Sequence, residues 1–152
     1  HKKENVIMNK KQKSLTNKGF SLVELIIVIA IMAVLVGVLA PQFIKYVEQS
    51  RRSKDIQAAA NLQTAYLTDI ADATIAADLG TAAAPVAITD ANKPSTVAAA
   101  PTVSGRLATA TTFYAYVNVA DGTCQIFIGT DANKTLYDLT DETDAGNYKK
   151  AN

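Results

Sequence analysis

Lys18-Gly19-Phe20-Ser21-Leu22-Val23-Glu24 opens onto an unbroken apolar run, Leu25 to Ala40, and Pro41 closes it. A bilayer core needs roughly 20 mostly apolar residues at about 1.5 Å of helix rise each, so this stretch is long enough to cross one. Glu24 falls in its first turn. A carboxylate near the bilayer centre costs roughly 2.5 to 3.5 kcal/mol on insertion scales, so its presence calls for a compensating interaction. Lys10, Lys11, Lys13 and Lys18 precede the run. By the positive-inside tendency they hold the N-terminus in the cytoplasm and leave the bulk of the chain outside. An ordinary secretory signal carries its cleavage site after the apolar region and loses it. Here the polar part comes first, and a cut at the Gly19-Phe20 junction would leave the apolar segment on the mature chain.

In these residues the chain resembles the class III signal of type IV prepilins and their relatives, the pseudopilins of type II secretion and the competence pilins. Gly19 matches the residue before the cut, Phe20 the new N-terminus, Glu24 the fifth mature residue and Pro41 the twenty-second. The resemblance implies that a prepilin peptidase in the membrane cuts after Gly19 and methylates the amine of Phe20. It also implies that Glu24 guides filament assembly by pairing with the Phe20 amine of a neighbouring subunit. An ion pair of that kind is strong in a low dielectric and costly to break. The residues alone leave a plainer alternative, in which Ser21-Leu22-Val23-Glu24 is a capping box that starts a helix near the headgroups. That box needs neither a phenylalanine after glycine nor a lysine-rich leader.

Composition agrees with this division. The 152-residue chain has a formal charge of +1. Residues 1–19 read as a leader; its first seven, ahead of Met8-Asn9-Lys10-Lys11, read as a tag or an upstream extension. Cutting after Gly19 removes six lysines and Glu4 from the 15 basic and 14 acidic residues, leaving nine and 13 and a mildly acidic exterior. Neither part carries the basic stripe of a nucleic-acid binder. No phosphate loop, nucleophile triad or zinc spacing occurs, which excludes the common enzyme classes, and no cofactor is expected. The lone Cys124 has no disulfide partner within the chain and reads as a small buried hydrophobe rather than a reactive thiol.

Residues 20–41 thus form the membrane and filament-core helix. From Gln42 the pattern turns amphipathic: Ile56, Ala59 or Ala60, Gln63, Tyr66 or Leu67, Ile70, Ala73 and Ala77 recur at steps of three and four, one face of a helix that needs a sheet as partner. Glu48 with Arg52, and Arg51 with Asp55, are four apart and read as pairs on the solvated face. Gly80 predicts the helix end near Leu79, so 42–79 is assigned to this amphipathic half. Pro41 removes a backbone amide and Gly37 weakens the same turn, so the pair marks a kink. The family resemblance implies more: Gly37 to Pro41 melts when subunits pack.

Residues 80–112, rich in Ala, Thr, Pro and Ser, read as a long variable loop. Residues 113–152 carry the sheet. Phe113 to Ala120 and Thr123 to Gly129 flank Asp121-Gly122, a favoured two-residue turn. This register sets Val119 against Cys124, Val117 against Ile126 and Ala115 against Ile128 on one apolar face. Leu136 to Leu139 adds a third antiparallel strand. The acidic tail reads as a solvated loop. Within it Asp131, Asn133 and Glu142 fall at calcium-loop positions, but Leu136 replaces the turn glycine and the match is weak.

The expected protein is therefore α+β, one long N-terminal helix with a transmembrane half and an amphipathic half packed on a small antiparallel sheet, as in the type IV pilin fold. It is expected in the cytoplasmic membrane as a single-pass precursor and then in an extracellular filament. The resemblance implies as partners further copies of itself, the prepilin peptidase, a platform protein and, through it, motor ATPases. Its function would be that of a structural pilus subunit for motility, adhesion or DNA uptake. A pseudopilin or competence pilin is the nearest alternative, and a monomeric membrane-anchored binding domain the one from a different class.

Overall fold

Fifty consecutive residues, Leu22–Ala71, form one helix, α1, in the computed structural model. The structure describes residues 19–106, 112–129 and 136–151. Two units divide the chain, one ending at Phe43 and the other running from Ile44 to Asn152. In the first, α1 continues through Pro41 as unbroken helix. The amide that Pro41 lacks would have served the Gly37 carbonyl four residues back.

In the second unit an antiparallel sheet is ordered β1-β2-β3-β4, from β1 Val86–Ala87, β2 Tyr114–Asn118, β3 Thr123–Gly129 and β4 Leu136–Asp138. A short helix, α2, follows over Glu142–Lys150. The buried core joins Ala59, Leu62 and Tyr66 of α1 to Ala115 and Val117 of β2 and Cys124, Ile126 and Ile128 of β3. The apolar sheet face is the expected one, but the register differs. Val117 pairs with Cys124 and Ala115 with Ile126, each two residues from the predicted partner.

The turn explains the shift. Gly122 donates to the Val119 carbonyl at 3.3 Å, and the Asn118 side chain accepts from the Asp121 amide at 3.1 Å, so Val119 to Gly122 form a four-residue loop with Gly122 at φ +65°. Longer hairpin loops of this kind are built around such a turn. A slip of two keeps every side chain on its face, whereas a slip of one would have exchanged the faces.

Two further boundaries depart from expectation. The helix ends at Ala71, not near Leu79, in a Schellman motif: Thr74 donates to the Asp69 carbonyl at 2.9 Å and Ala73 to that of Ile70 at 3.1 Å. Ala73 takes the left-handed position, φ +56°, that glycine usually fills. Ending there frees Leu79 to exchange two backbone hydrogen bonds with Val117 on the outer edge of β2, at 3.0 and 2.9 Å. Gly80, at φ +62°, serves the next turn instead.

The expected loop is also more than a loop. Its residues 80–106 supply β1, bury Ile88 in the core and bury Pro94. The acidic tail likewise forms α2, with Asp141 as N-cap accepting from the Asp144 amide at 3.0 Å.

Candidate functional site

At the start of α1, Gly19, Phe20 and Ser21 precede the first helical residue, Leu22. Ser21 donates its backbone amide to Glu24 Oε2 at 3.2 Å, and Ser21 Oγ accepts from the Glu24 amide at 3.2 Å. This reciprocal capping box satisfies two amides that a helix start leaves without partners. Among the described residues the other carboxylate oxygen, Oε1, takes no hydrogen bond. Phe20 is 89% exposed, and Phe20, Leu25, Ile27 and Val28 line one shallow apolar concavity with Glu24. The capping box thus fixes the carboxylate through Oε2 beside apolar side chains, and Oε1 has no partner among the described residues.

Gly19 and Phe20 lie just before the helix and Glu24 in its first turn, all within six consecutive residues. Gly37 and Pro41 lie further along the same helix. By length and composition α1 can cross a membrane, and every side chain from Leu22 to Phe43 is exposed. A helix apolar on all sides is stable only where something apolar surrounds it.

In the second unit three charged side chains face inward, two of them, Arg52 and Asp55, expected on the solvated face. Arg52, Asp55 and Asp69 are buried, in one stripe with Ala59, Leu62 and Tyr66. Asp55 pairs with no arginine. Its carboxylate accepts from the amides of Ser104 and Gly105 and from the Tyr148 hydroxyl, each at 2.7 Å. Burial first, then the hydrogen bond to Asp55, pushes the Tyr148 hydroxyl above its ordinary range, so it stays a donor.

Gly105 makes this junction possible, because a Cβ there would sit 2.2 Å from the Tyr148 hydroxyl and 2.9 Å from Asp55. Asp69 similarly holds the loop through Ser95, accepting from its amide at 2.7 Å and its hydroxyl at 2.5 Å. The expected Glu48–Arg52 pair does form, at 2.9 Å, but Arg52 is buried and also donates to the carbonyls of Tyr148, Lys149 and Ala151. The signal for this stripe was present as 52, 55, 59, 62, 66 and 69, a run of threes and fours. Charge hid it.

Cys124 is buried as expected, and burial first, then the Asp138 carboxylate, pushes its thiol up to about 12. Of the calcium candidates, Asp131 and Asn133 lie outside the described residues, and Glu142 is the first residue of α2. The neighbouring acids serve the backbone: Asp138 accepts from the Thr140 amide and Asp144 from that of Asp138. Among the described residues no group of three or more His, Cys, Asp or Glu is placed to hold a metal.

A long N-terminal helix with a small four-stranded antiparallel sheet is an α+β arrangement matching the type IV pilin fold. Residues 15–40 match the model of the prokaryotic N-terminal methylation motif. The chain therefore carries the class III signal of type IV pilins and pseudopilins. No curated protein and no solved structure matches the chain.

Proposed function

We propose that this chain is a structural subunit, a major pilin, of a bacterial type IV pilus. The observation that carries the reading is the placement of the methylation motif on a helix whose first half is almost wholly apolar and, among the described residues, covered by no other part of the chain. The motif belongs to a structural signal, not to an enzyme family. In this reading prepilin peptidase cuts after Gly19 and methylates Phe20, the apolar half of α1 holds the precursor in the cytoplasmic membrane, and the same surface then forms the filament core. Platform protein and motor ATPases extend and retract the filament.

Only cleavage creates the Phe20 amine, and Oε1 of Glu24, which takes no hydrogen bond among the described residues, is the group that can meet this amine on a neighbour. The capping box and the ion pair are compatible, because the box uses one carboxylate oxygen. They separate on mutation. Glu24→Gln keeps an acceptor for the Ser21 amide and loses the charge; Glu24→Ala loses both.

Expressed in a pilus-forming host without its own major pilin, both variants should be inserted and cleaved, with intact mass beginning at monomethylated Phe20. Both should yield few or no filaments by electron microscopy of sheared material. Normal filaments from Glu24→Gln would reduce Glu24 to a cap. Cleaved wild-type protein that never appears in sheared filaments would move the chain to the pseudopilins.

A further inference from the structure

A groove of about 350 Å³ lies where the first turns of the second unit's part of α1 meet the end of α2, lined by Ile44, Lys45, Glu48, Arg52, Lys149 and Lys150. Its charges do not balance. Arg52 and Glu48 neutralise each other, and the Arg52 guanidinium takes the last carbonyls of α2, so the negative end of that helix dipole is already answered. The one ion pair among the described residues is that of Arg52 with Glu48. Lys45, Lys149 and Lys150 are all exposed, and together they give the groove its positive charge. The Arg52 strap fixes the end of α2 beside α1, so the two terminal lysines share a groove with Lys45.

The chain around Lys45 identifies what faces these ammonium groups. Lys45 lies four residues after Pro41, about 6 Å of helix rise beyond the apolar run. Phe43, Ile44 and Tyr46 beside it are exposed at 67, 68 and 66%. Aromatic rings next to lysine at the end of a spanning segment have the composition of the membrane interface, where the stem lies on apolar surface and the charge reaches the headgroups.

We propose that the Lys45, Lys149 and Lys150 groove seats anionic lipid headgroups of the leaflet from which the chain emerges, holding the unassembled subunit at the membrane surface. The proposal rests on the membrane-anchor reading above. The tether of four residues keeps Lys45 at that surface whatever else the groove could bind.

The test is amine labelling of the full processed chain in vesicles of phosphatidylcholine alone and in vesicles in which a third of the lipid is phosphatidylglycerol, read by mass spectrometry with exposed Lys54 as internal reference. Flotation with both vesicle types checks the anchor separately, and failure to float would remove the anchor reading and this proposal together. Anionic vesicles should slow labelling of Lys45, Lys149 and Lys150 by roughly fivefold relative to Lys54, the equivalent of one favourable lysine–membrane contact. The slowing should vanish in high salt, and Lys149→Glu with Lys150→Glu should reduce the slowing at Lys45 by at least half; unchanged slowing there would mean the three lysines do not share one site.

A chain that floats but is labelled equally in both vesicles overturns the headgroup site and leaves the anchor standing. Protection that grows with protein density in phosphatidylcholine alone would mean a second copy occupies the groove. Equal protection by inorganic phosphate in detergent would mean a small-anion site. Either result overturns the proposal.

Discussion

Between Leu22 and Phe43 every side chain of α1 is exposed, although nearly all are apolar, whereas between Arg52 and Asp69 the same helix buries Arg52, Asp55 and Asp69 beside Ala59, Leu62 and Tyr66. Hydropathy alone would have predicted the reverse. Burial follows the location of a partner, and the two halves find theirs in different places. The second half has its partner in its own chain, and its charges are tolerated there because each is hydrogen-bonded. The first half has no such partner among the described residues, so its apolar surface is available to lipid or to further copies.

The strongest test of this contrast is at Asp55. Asp55→Ala leaves the Tyr148 hydroxyl and the Ser104 and Gly105 amides without their acceptor, at about 1 to 3 kcal/mol for each buried group left unsatisfied. Gly105→Ala forces a methyl group into the same junction. Each should remove on the order of 3 to 5 kcal/mol, a large part of the total for a domain of ordinary stability. Near-ultraviolet circular dichroism during denaturant unfolding of the processed chain in detergent would read this, because all six tyrosines belong to the second unit. An unchanged midpoint for Asp55→Ala would mean that the buried carboxylate is incidental.

Next in size is one substitution made in both halves. Leu62→Ala should destabilise that unfolding transition by about 2 to 5 kcal/mol, as buried leucine truncations do. Leu35→Ala should leave it unmoved, since Leu35 is exposed and outside the second unit. Equal shifts would show that the two halves unfold as one cooperative body. A fragment beginning at Ile44 sharpens the same point. It should unfold cooperatively, while one beginning at Gln49 should be weaker for want of Glu48, which accepts from the Arg106 amide at 2.8 Å and from Arg52.

Smaller effects follow at single positions. Cys124→Ser should lose about 1 to 3 kcal/mol by placing a hydroxyl on the apolar face, and the native thiol should resist alkylation at neutral pH. Ala73→Gly should stabilise by about 0.5 to 1 kcal/mol, because glycine takes the left-handed position without the Cβ clash. Differential unfolding midpoints would read both.

The smallest is at Glu48. Burial opposes its ionisation, but the Arg106 amide and Arg52 outweigh it and hold the carboxyl below its ordinary value of 4.5. A carboxyl lowered in the folded state adds stability above the unfolded value and loses it as pH falls through the folded one. Glu48→Gln should therefore lower stability at neutral pH and flatten the acid side of the curve, its difference from the wild type shrinking as pH falls below about 4.5.

Elements with local signals are legible in the chain before any fold is known. An apolar run of membrane length, a Gly-Phe junction with Glu24 four residues on, and alternating strands on either side of Asp121-Gly122 each report their own structure within a few residues. The α+β class, the apolar sheet face and the burial of Cys124 followed from those signals. The remaining features depend on partners distant in sequence, so they emerge only when the chain has folded. The helix stops at Ala71 under a left-handed alanine that carries no glycine signal, and the edge of β2 takes up Leu79. Asn118 lengthens the hairpin loop through its side chain and shifts the register by two. Arg52, Asp55 and Asp69 look solvated until Tyr148, Gly105 and Ser95 arrive from 26 to 96 residues away. A charged residue is buried or exposed according to whether such donors and acceptors reach it, and no local pattern records that.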